Sequence, residues 1–178
     1  PFYNGKSPHA IASKRLEKQK LLGIVPPTAK LGMAGKFNPE GYGKTSAKRK
    51  DYIAECMAAY AAQIAIMDRG IGRILASLER HRLSDNTIVM FLSDNGATAE
   101  IPQNNKNKKT TLPTGPLGEV GCRDGYGPMW AAVSNTPYRQ YKIETFDGGL
   151  SAPFIIRYPS KIRPESRYHS PFLLQDIA

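Results

Sequence analysis

Cysteine is scarce in this sequence, with only Cys56 and Cys122 among 178 residues. Two such cysteines give neither the spacing of a metal site nor a disulfide framework. Histidine is also rare, since His9, His81 and His169 are scattered without a helical pairing or a nearby cysteine. The sequence therefore shows no histidine-based metal site or catalytic triad. It also contains no Gly-x-Ser-x-Gly elbow, phosphate loop or dinucleotide fingerprint.

Long apolar runs are absent as well. The longest, such as residues 88–92 and 152–156, fall far short of the roughly 18 residues that a membrane span needs, so we expect no span. A composition of 40% hydrophobic and 22% charged residues indicates neither disorder nor a membrane class. A chain of 178 residues is long enough for one domain with a buried core.

Acidic residues are outnumbered by basic ones, 15 against 25, which gives a formal net charge of +10. Such an excess favours anionic partners, among them nucleic acid, acidic surfaces and sulfated or phosphorylated small molecules. The basic residues are nevertheless spread out, with clusters at residues 14–20, 44–50 and 106–109. A solvated surface explains each cluster at least as well as a binding stripe does.

Helical periodicity is strongest over residues 47–80, where apolar side chains recur in steps of three or four. This pattern predicts a long helix with one face in the core. The stripe consists of Ile53, Met57, Tyr60, Ile64, Met67, Ile71, Ile74 and Leu78. A shorter basic helix is predicted from Ile11 to about Gly23. Residues 97–137 show no strong periodicity, and Gly, Pro, Asn and Lys dominate up to Pro128, which predicts a long loop over residues 97–128.

Two short runs have the composition of buried strands. Residues 87–92 are apolar and partly β-branched, as in a parallel strand buried on both faces, and residues 153–159 form a second candidate. A long helix, a tight turn and a buried strand together indicate the α/β class. Asp94 and Asn95 directly follow the first run, and ligand sites in open α/β sheets gather at the carboxyl ends of strands.

Three polar side chains are candidates for chemistry, and each has an ordinary alternative. Asp94 and Asn95 could supply oxygen ligands to Ca²⁺ or Mg²⁺. The sequence Ser-Asp-Asn-Gly is also a good turn formula, because Asx side chains bond nearby backbone groups. Lys142 could bind an anion as a point charge, although most lysines are only surface charges.

Two long motifs, in this order, closely resemble type I sulfatases. Residues 60–97 contain Met-Asp and Ile-Gly-Arg on a helix, followed by Asp-Asn-Thr, an apolar strand and Ser-Asp-Asn-Gly. Residues 130–162 contain a lysine before an acidic-Gly-Gly turn and then a Pro-Phe-Ile strand. The resemblance covers nearly the whole chain. It implies an α/β fold, a three-layer α/β/α sandwich with a mostly parallel central sheet, of which this chain is a part.

The resemblance also implies roles for three residues. Asp94 and Asn95 match ligands of one calcium ion, whose other ligands are a pair of aspartates upstream. Lys142 matches the lysine that contacts the sulfate group, and it is therefore the candidate catalytic and substrate-binding residue. An asparagine after the aspartate, where a histidine would suit zinc or manganese phosphoesterases, agrees with all-oxygen ligation of calcium.

The chain departs from the sulfatase pattern at its nucleophile. The family converts a Cys or Ser in a Cys/Ser-x-Pro-x-Arg motif to formylglycine, and neither Cys56 nor Cys122 has that context. Both ends of the chain look cut. Residues 1–178 are therefore expected to be the C-terminal portion of a sulfatase catalytic domain, inactive alone, with formylglycine upstream. Phe146 stands where many members have a polar aromatic residue. The resemblance favours a periplasmic or secreted location.

The expected function is hydrolysis of an anionic sulfate ester, with no nucleic acid as partner. Oligomeric state and the identity of the ester have no signature in the sequence. One alternative is a phosphoesterase or phosphonate hydrolase of the same alkaline phosphatase superfamily. Another is a non-catalytic basic protein that binds polyanions through residues 104–109.

Overall fold

The structure, a computed structural model, describes residues 2–32, 42–100, 116–120, 122 and 125–177. Contacts divide the chain into two units. The first comprises Pro1–Ala65 and Asn95–Ser151, and the second comprises Ile66–Asp94 and Ala152–Ala178. The described helices are α1 (Pro8–Leu21), α2 (Ala47–Arg80), α3 (Gly127–Ser134) and the single turn α4 (Asp147–Leu150). The strands are β1 (Val89–Leu92) and β2 (Phe154–Arg157), and 3-10 turns lie at Ser84–Asn86 and Leu174–Ile177.

Helix α1 begins where its sequence provides a cap. The Ser7 hydroxyl oxygen accepts a hydrogen bond from the backbone N–H of Ala10 at 3.1 Å, and Pro8 follows in the first helical turn. Both features suit an N-terminus, because the first N–H groups of a helix have no partner within it. The helix ends at Leu21, and Gly23 adopts a positive φ of 64° just beyond it. The predicted basic helix is thus confirmed.

Helix α2 has the bounds that the periodicity predicted, but its apolar stripe is only partly buried. Met57 is 2% exposed, and Ile53 and Tyr60 pack against the core of the first unit. Further along, Ile64 and Ile74 are 41% and 61% exposed. The prediction that the whole stripe lies in the core is therefore wrong for the second half of the helix. Periodicity shows that one face is apolar and does not show what covers it.

Helix α3, Gly127–Ser134, begins at the last residues of the predicted loop and continues through residues for which the sequence shows no strong periodicity, so it was not predicted. Trp130 is 1% exposed, and Ala131 and Val133 are fully buried. The Trp130 indole N–H donates a hydrogen bond to the carbonyl oxygen of Ile53 at 2.9 Å. Helix α3 is thus the centre of the first unit's core. The buried members of that core are Ile11, Ala12, Cys56, Met57, Tyr126, Trp130, Ala131 and Val133.

The second unit contains a two-stranded sheet. Strands β1 and β2 pair antiparallel, with Val89 opposite Arg157 and Leu92 opposite Phe154. The Arg157 guanidinium also donates to the hydroxyl of Ser84 at 3.1 Å, which holds the turn before β1. Both predicted runs form strands, but the prediction that they are buried is wrong for these residues, since Phe91 and Ile155 are 40% and 60% exposed. The pair is antiparallel, and it neither confirms nor contradicts a mostly parallel central sheet, which stays a prediction.

Candidate functional site

The segment after β1 and the segment that carries Lys142 are joined by their backbones within the first unit. The backbone N–H of Lys142 donates a hydrogen bond to the carbonyl oxygen of Ala97 at 3.0 Å. Ala97 lies two residues after Asn95, so two of the three predicted site residues are on neighbouring segments. Asp94, which directly precedes Asn95 in the chain, is the last residue of Ile66–Asp94 in the second unit. Its side chain is exposed.

Glycines make this close approach possible. The N–H of Gly96 donates to the carbonyl oxygen of Gly149 at 3.1 Å. A Cβ on Gly96 would overlap the carbonyl oxygen of Gly148, and a Cβ on Gly148 would overlap that of Gln140. Both glycines are buried. The acidic-Gly-Gly turn of the sequence therefore has a steric role, since it lets three stretches of backbone meet without side chains between them.

Asn135 connects these stretches through its side chain. Its Nδ2 group donates to the carbonyl oxygens of Gln140 at 2.9 Å and Gly148 at 2.8 Å. Its Oδ1 atom accepts from the backbone N–H of Ala97 at 2.9 Å. We call the Asn135 side chain with these three backbone partners the Asn135 clamp. Nothing in the sequence predicts it, because one asparagine after a short helix has the composition of any turn.

Helix α1 fixes the position from which Asn135 acts. The Arg15 guanidinium donates to the carbonyl oxygen of Val133 at 3.0 Å, and the Gln19 amide donates to that of Thr136 at 2.8 Å. Val133 is in the last turn of α3 and Thr136 lies two residues beyond its end, so these two side chains tie the C-terminal end of α3 to α1. Asn135 therefore lies between two residues that are tied to another helix.

The side chain of Lys142 is accessible and faces a carboxylate. Its Nζ atom lies 3.9 Å from Oε2 of Glu100, and the Lys142 side chain is 39% exposed. The same carboxylate oxygen accepts a hydrogen bond from the hydroxyl of Thr98 at 3.3 Å. An exposed pair of this kind is weak, because water and salt screen it. A cation held so loosely can exchange Glu100 for another anion.

Two aromatic side chains lie on either side of Lys142 in the sequence. Burial raises the pKa of Tyr141, and the negative charge of Glu144 raises it further, so Tyr141 ionises only above the ordinary tyrosine value of 10.0. The guanidinium of Arg139 lies 4.1 Å from the centre of the Phe146 ring. Phe146 therefore engages a cation through its ring face, where a polar aromatic residue would also offer a hydrogen bond.

The residues predicted to hold calcium fit that ion as part of a ligand set. Asp94 offers carboxylate oxygens and Asn95 an amide oxygen, which are the hard donors that calcium prefers. Calcium takes six to eight oxygens, so these two residues cannot complete a site. In the part of the chain that the structure describes, no group of three or more His, Cys, Asp or Glu side chains could hold a metal ion.

The family of the chain follows from its match to known proteins. The sequence model of the family described as Sulfatase matches residues 16–177. This chain belongs to the sulfatase family. Sulfatases have an alkaline phosphatase-like α/β fold, and they generally use calcium and formylglycine. The predicted family and the α/β class are thereby confirmed.

Several curated sulfatases are similar to this chain. An uncharacterised sulfatase of Schizosaccharomyces pombe is 31% identical over 173 residues, which is 92% of this chain and 31% of the relative. An arylsulfatase of Klebsiella aerogenes is 32% identical over 173 residues, with 93% and 36% covered. A steryl-sulfatase of Rattus norvegicus is 32% identical over 119 residues, with 67% and 17% covered. The chain thus spans about a third of the length of the first two relatives.

Two further sequence predictions concern the loop at residues 104–109 and membrane spans. Residues 104–109, proposed as a polyanion-binding loop, lie outside the described residues. None of the helices that the structure describes is both long enough and apolar enough to cross a membrane.

Proposed function

We propose that the protein containing this chain hydrolyses a sulfate ester and that Lys142 binds the sulfate group. One observation carries this proposal: the backbone hydrogen bond from Lys142 to Ala97 holds the lysine against the segment that begins at Asn95. The cation predicted to bind sulfate and an oxygen donor predicted to bind calcium thus lie on joined segments. The net charge of +10 also favours an anionic substrate.

The three predicted site residues would have distinct roles. The Lys142 ammonium is a compact charge with three N–H donors, suited to an oxygen of the sulfate group. Asp94 and Asn95 would hold calcium, which when bound would help to neutralise the charge of the ester. Hydrogen-bond donors aimed at developing charge lower the barrier most when they are fixed before the reaction begins. The backbone bond between Lys142 and Ala97 fixes the point on the chain from which the Lys142 side chain extends.

The proposal includes the rest of the catalytic domain. We place residues 1–178 in its C-terminal portion, within a three-layer α/β/α sandwich that has a mostly parallel central sheet. Formylglycine and the remaining calcium ligands would come from upstream. This chain supplies the Lys142 side chain and two of the oxygen donors, so the purified 178-residue chain should not turn over an aryl sulfate.

The test uses the full gene product and an aryl sulfate substrate. Replacing Lys142 by alanine should lower kcat/KM by about 100-fold or more, the usual cost of removing a donor to developing charge. Lys161→Ala removes an exposed lysine of the second unit and should leave kcat/KM unchanged. Turnover that survives in Lys142→Ala, or turnover by the isolated chain that depends on Lys142, would overturn the proposal.

Calcium dependence gives a second readout. Asp94→Ala should raise the calcium concentration needed for half-maximal activity after chelation, whereas Asp85→Ala, which changes another exposed aspartate, should not. A phosphate monoester offered in parallel separates the related chemistry. Faster turnover of the phosphate ester would assign the protein to the phosphoesterases instead.

A further inference from the structure

We propose that Asn135 is a positioning residue for Lys142, acting through the Asn135 clamp. The proposal rests on the proposed function, since it takes Lys142 to be the sulfate-binding group. Asn135 has no place in the predicted ligand or substrate contacts. Its side chain nevertheless makes three hydrogen bonds to backbone groups of the two segments that carry Asn95 and Lys142.

The chemistry of the three partners requires an amide at this position. Two of the partners are carbonyl oxygens, of Gln140 and Gly148, and they need donors. The third is the N–H of Ala97, which needs an acceptor. An asparagine side chain has an NH₂ group with two donors and an oxygen acceptor, so one orientation satisfies all three. The reversed amide would set its oxygen against two carbonyl oxygens.

The partners of Asn135 bracket Lys142 in the sequence. Gln140 lies two residues before it and Gly148 six residues after it, so the clamp fixes both ends of the stretch that carries the lysine. Ala97 is held from two sides, since its N–H donates to Asn135 and its carbonyl oxygen accepts from the N–H of Lys142. Asn135 and Lys142 are thereby coupled through one residue.

The clamp is attached to a rigid part of the protein. The backbone N–H of Asn135 donates to the carbonyl oxygen of Ala131 at 3.1 Å, which places Asn135 at the end of α3. That helix is buried around Trp130, and its end is held by Arg15 and Gln19. A side chain on such a support can set the position of a loop with little motion of its own.

The expected kinetic effect follows from the cost of misplacing a substrate-binding group. A displacement of about 1 Å can lower a rate by about 100-fold. In the full gene product, Asn135→Ala should therefore lower kcat/KM for an aryl sulfate by about 10- to 100-fold. Asn135→Asp should have a comparable effect, because it keeps the acceptor for Ala97 but turns an oxygen towards the carbonyls of Gln140 and Gly148.

Ser7→Ala is the control. Ser7 also makes a side-chain hydrogen bond to a backbone group, accepting from the N–H of Ala10 at the start of α1, but this bond involves neither segment of the site nor Asn135. Loss of a helix cap destabilises a folded protein, so we expect this variant to lower thermal stability while changing kcat/KM by less than about 3-fold. If Ser7→Ala lowers kcat/KM as strongly as Asn135→Ala does, the effect is one of stability and the positioning role is overturned.

A double-mutant cycle tests the route through Lys142. If Asn135 acts by positioning Lys142, Asn135→Ala should lower kcat/KM by less than about 3-fold further in a protein that already carries Lys142→Ala. If the fold-losses in kcat/KM of the two single variants multiply fully in the double variant, the proposal is overturned.

Amide hydrogen exchange gives a readout that needs no turnover. The N–H groups of Ala97 and Lys142 should exchange at least about tenfold faster in Asn135→Ala and not in Ser7→Ala.

The outcomes separate this proposal from the proposed function. If Lys142→Ala leaves turnover unchanged, the proposed function fails and the positioning role fails with it. If Lys142→Ala abolishes turnover while Asn135→Ala leaves kcat/KM within about 3-fold of the wild type, only the positioning role is wrong. Unchanged exchange of the Ala97 amide in Asn135→Ala would show that the clamp does not hold this segment, and that also overturns the role.

Discussion

The backbone N–H of Gly96 points at the carbonyl oxygen of Gly149 and donates a hydrogen bond to it at 3.1 Å. This bond ties the segment after β1 directly to the turn of α4. It leaves no room for a side chain on Gly96, because a Cβ there would overlap the carbonyl oxygen of Gly148. Steric exclusion at this contact can be tested separately from any chemistry.

Gly96→Ala should destabilise the full gene product. The added methyl group has to displace backbone instead of a flexible side chain, and we expect a cost of about 2 kcal/mol or more in the free energy of unfolding. Equilibrium denaturation measures it. Gly70→Ala is the matched control, since nothing lies within 4 Å of a Cβ at this helical glycine. Alanine is the better helix former, so the control should gain about 0.5 to 1 kcal/mol. A change of the same sign in the free energy of unfolding of both variants would contradict this steric account.

Glu100→Gln should improve binding of an anionic substrate. The substitution removes the carboxylate that faces Lys142, so we expect KM for an aryl sulfate to fall about 2- to 5-fold at low ionic strength with kcat unchanged. The difference should shrink in high salt, because salt screens an exposed pair. Steady-state kinetics at two ionic strengths measures both effects.

The control for Glu100 is another exposed ion pair of the same unit. Glu17 lies 3.5 Å from Lys20 on α1, and Glu17→Gln removes a carboxylate without involving Lys142. It should leave KM unchanged. An equal fall in KM in both variants would attribute the effect to net charge instead of to Lys142.

Trp130→Phe should destabilise the first unit. The substitution removes the hydrogen bond to the carbonyl of Ile53 and part of a ring that is 1% exposed, so we expect a loss of roughly 2 kcal/mol. Urea denaturation measures the loss. Tyr168→Phe changes a side chain that is 79% exposed and should remain within about 0.5 kcal/mol of the wild type. A loss no larger in Trp130→Phe than in this control would show that the indole is not a main support of the core.

The Tyr126 side chain should make the free energy of unfolding fall in alkali. Burial raises its pKa to about 12, with a smaller contribution from Tyr60. Above the ordinary tyrosine value of 10.0, the unfolded chain loses this proton while the folded chain still holds it. The stabilisation is therefore complete below pH 10 and is lost as the pH rises through about 12, by an amount on the order of 2 kcal/mol.

Unfolding measured between pH 9 and 12 tests this dependence. Tyr126→Phe cannot ionise, so its free energy of unfolding should fall less steeply over that range than that of the wild type. Burial also raises the pKa of Tyr42 and of Tyr141 in the same direction, so a residual slope is expected. Parallel slopes in the wild type and in Tyr126→Phe would show that Tyr126 ionises alike in the folded and unfolded states.

Much of the secondary structure could be predicted from the sequence, because some elements have strong local patterns. Helix α2 is 34 residues long with a regular apolar stripe, and both strands are apolar runs between turns. Helix α3 was missed for the opposite reason. It has two turns and buries Trp130, Ala131, Ala132 and Val133, so no polar face gives it a period.

The candidate site was predictable only in part. Asp94, Asn95 and Lys142 were found because they lie in motifs that resemble a family, and their roles stay proposals. Asn135 has no comparable signal. Its three partners are backbone groups at separations of 5, 13 and 38 residues. Every residue has such groups, so no residue type in the sequence indicates these partners. Periodicity likewise could not show that the far end of α2 is exposed in this chain.

The hydrogen bond between Asn135 and Ala97 closes a loop of the chain, since the two residues are 38 positions apart. The entropy lost on closing a flexible loop grows only with the logarithm of its length, so doubling that length costs only about 0.6 kcal/mol more. Changes of chain length between Ala97 and the start of α3 at Gly127 therefore cost little loop entropy, and they leave both anchors in place. Sulfatases that share this closure could differ in the length of that segment without moving the lysine.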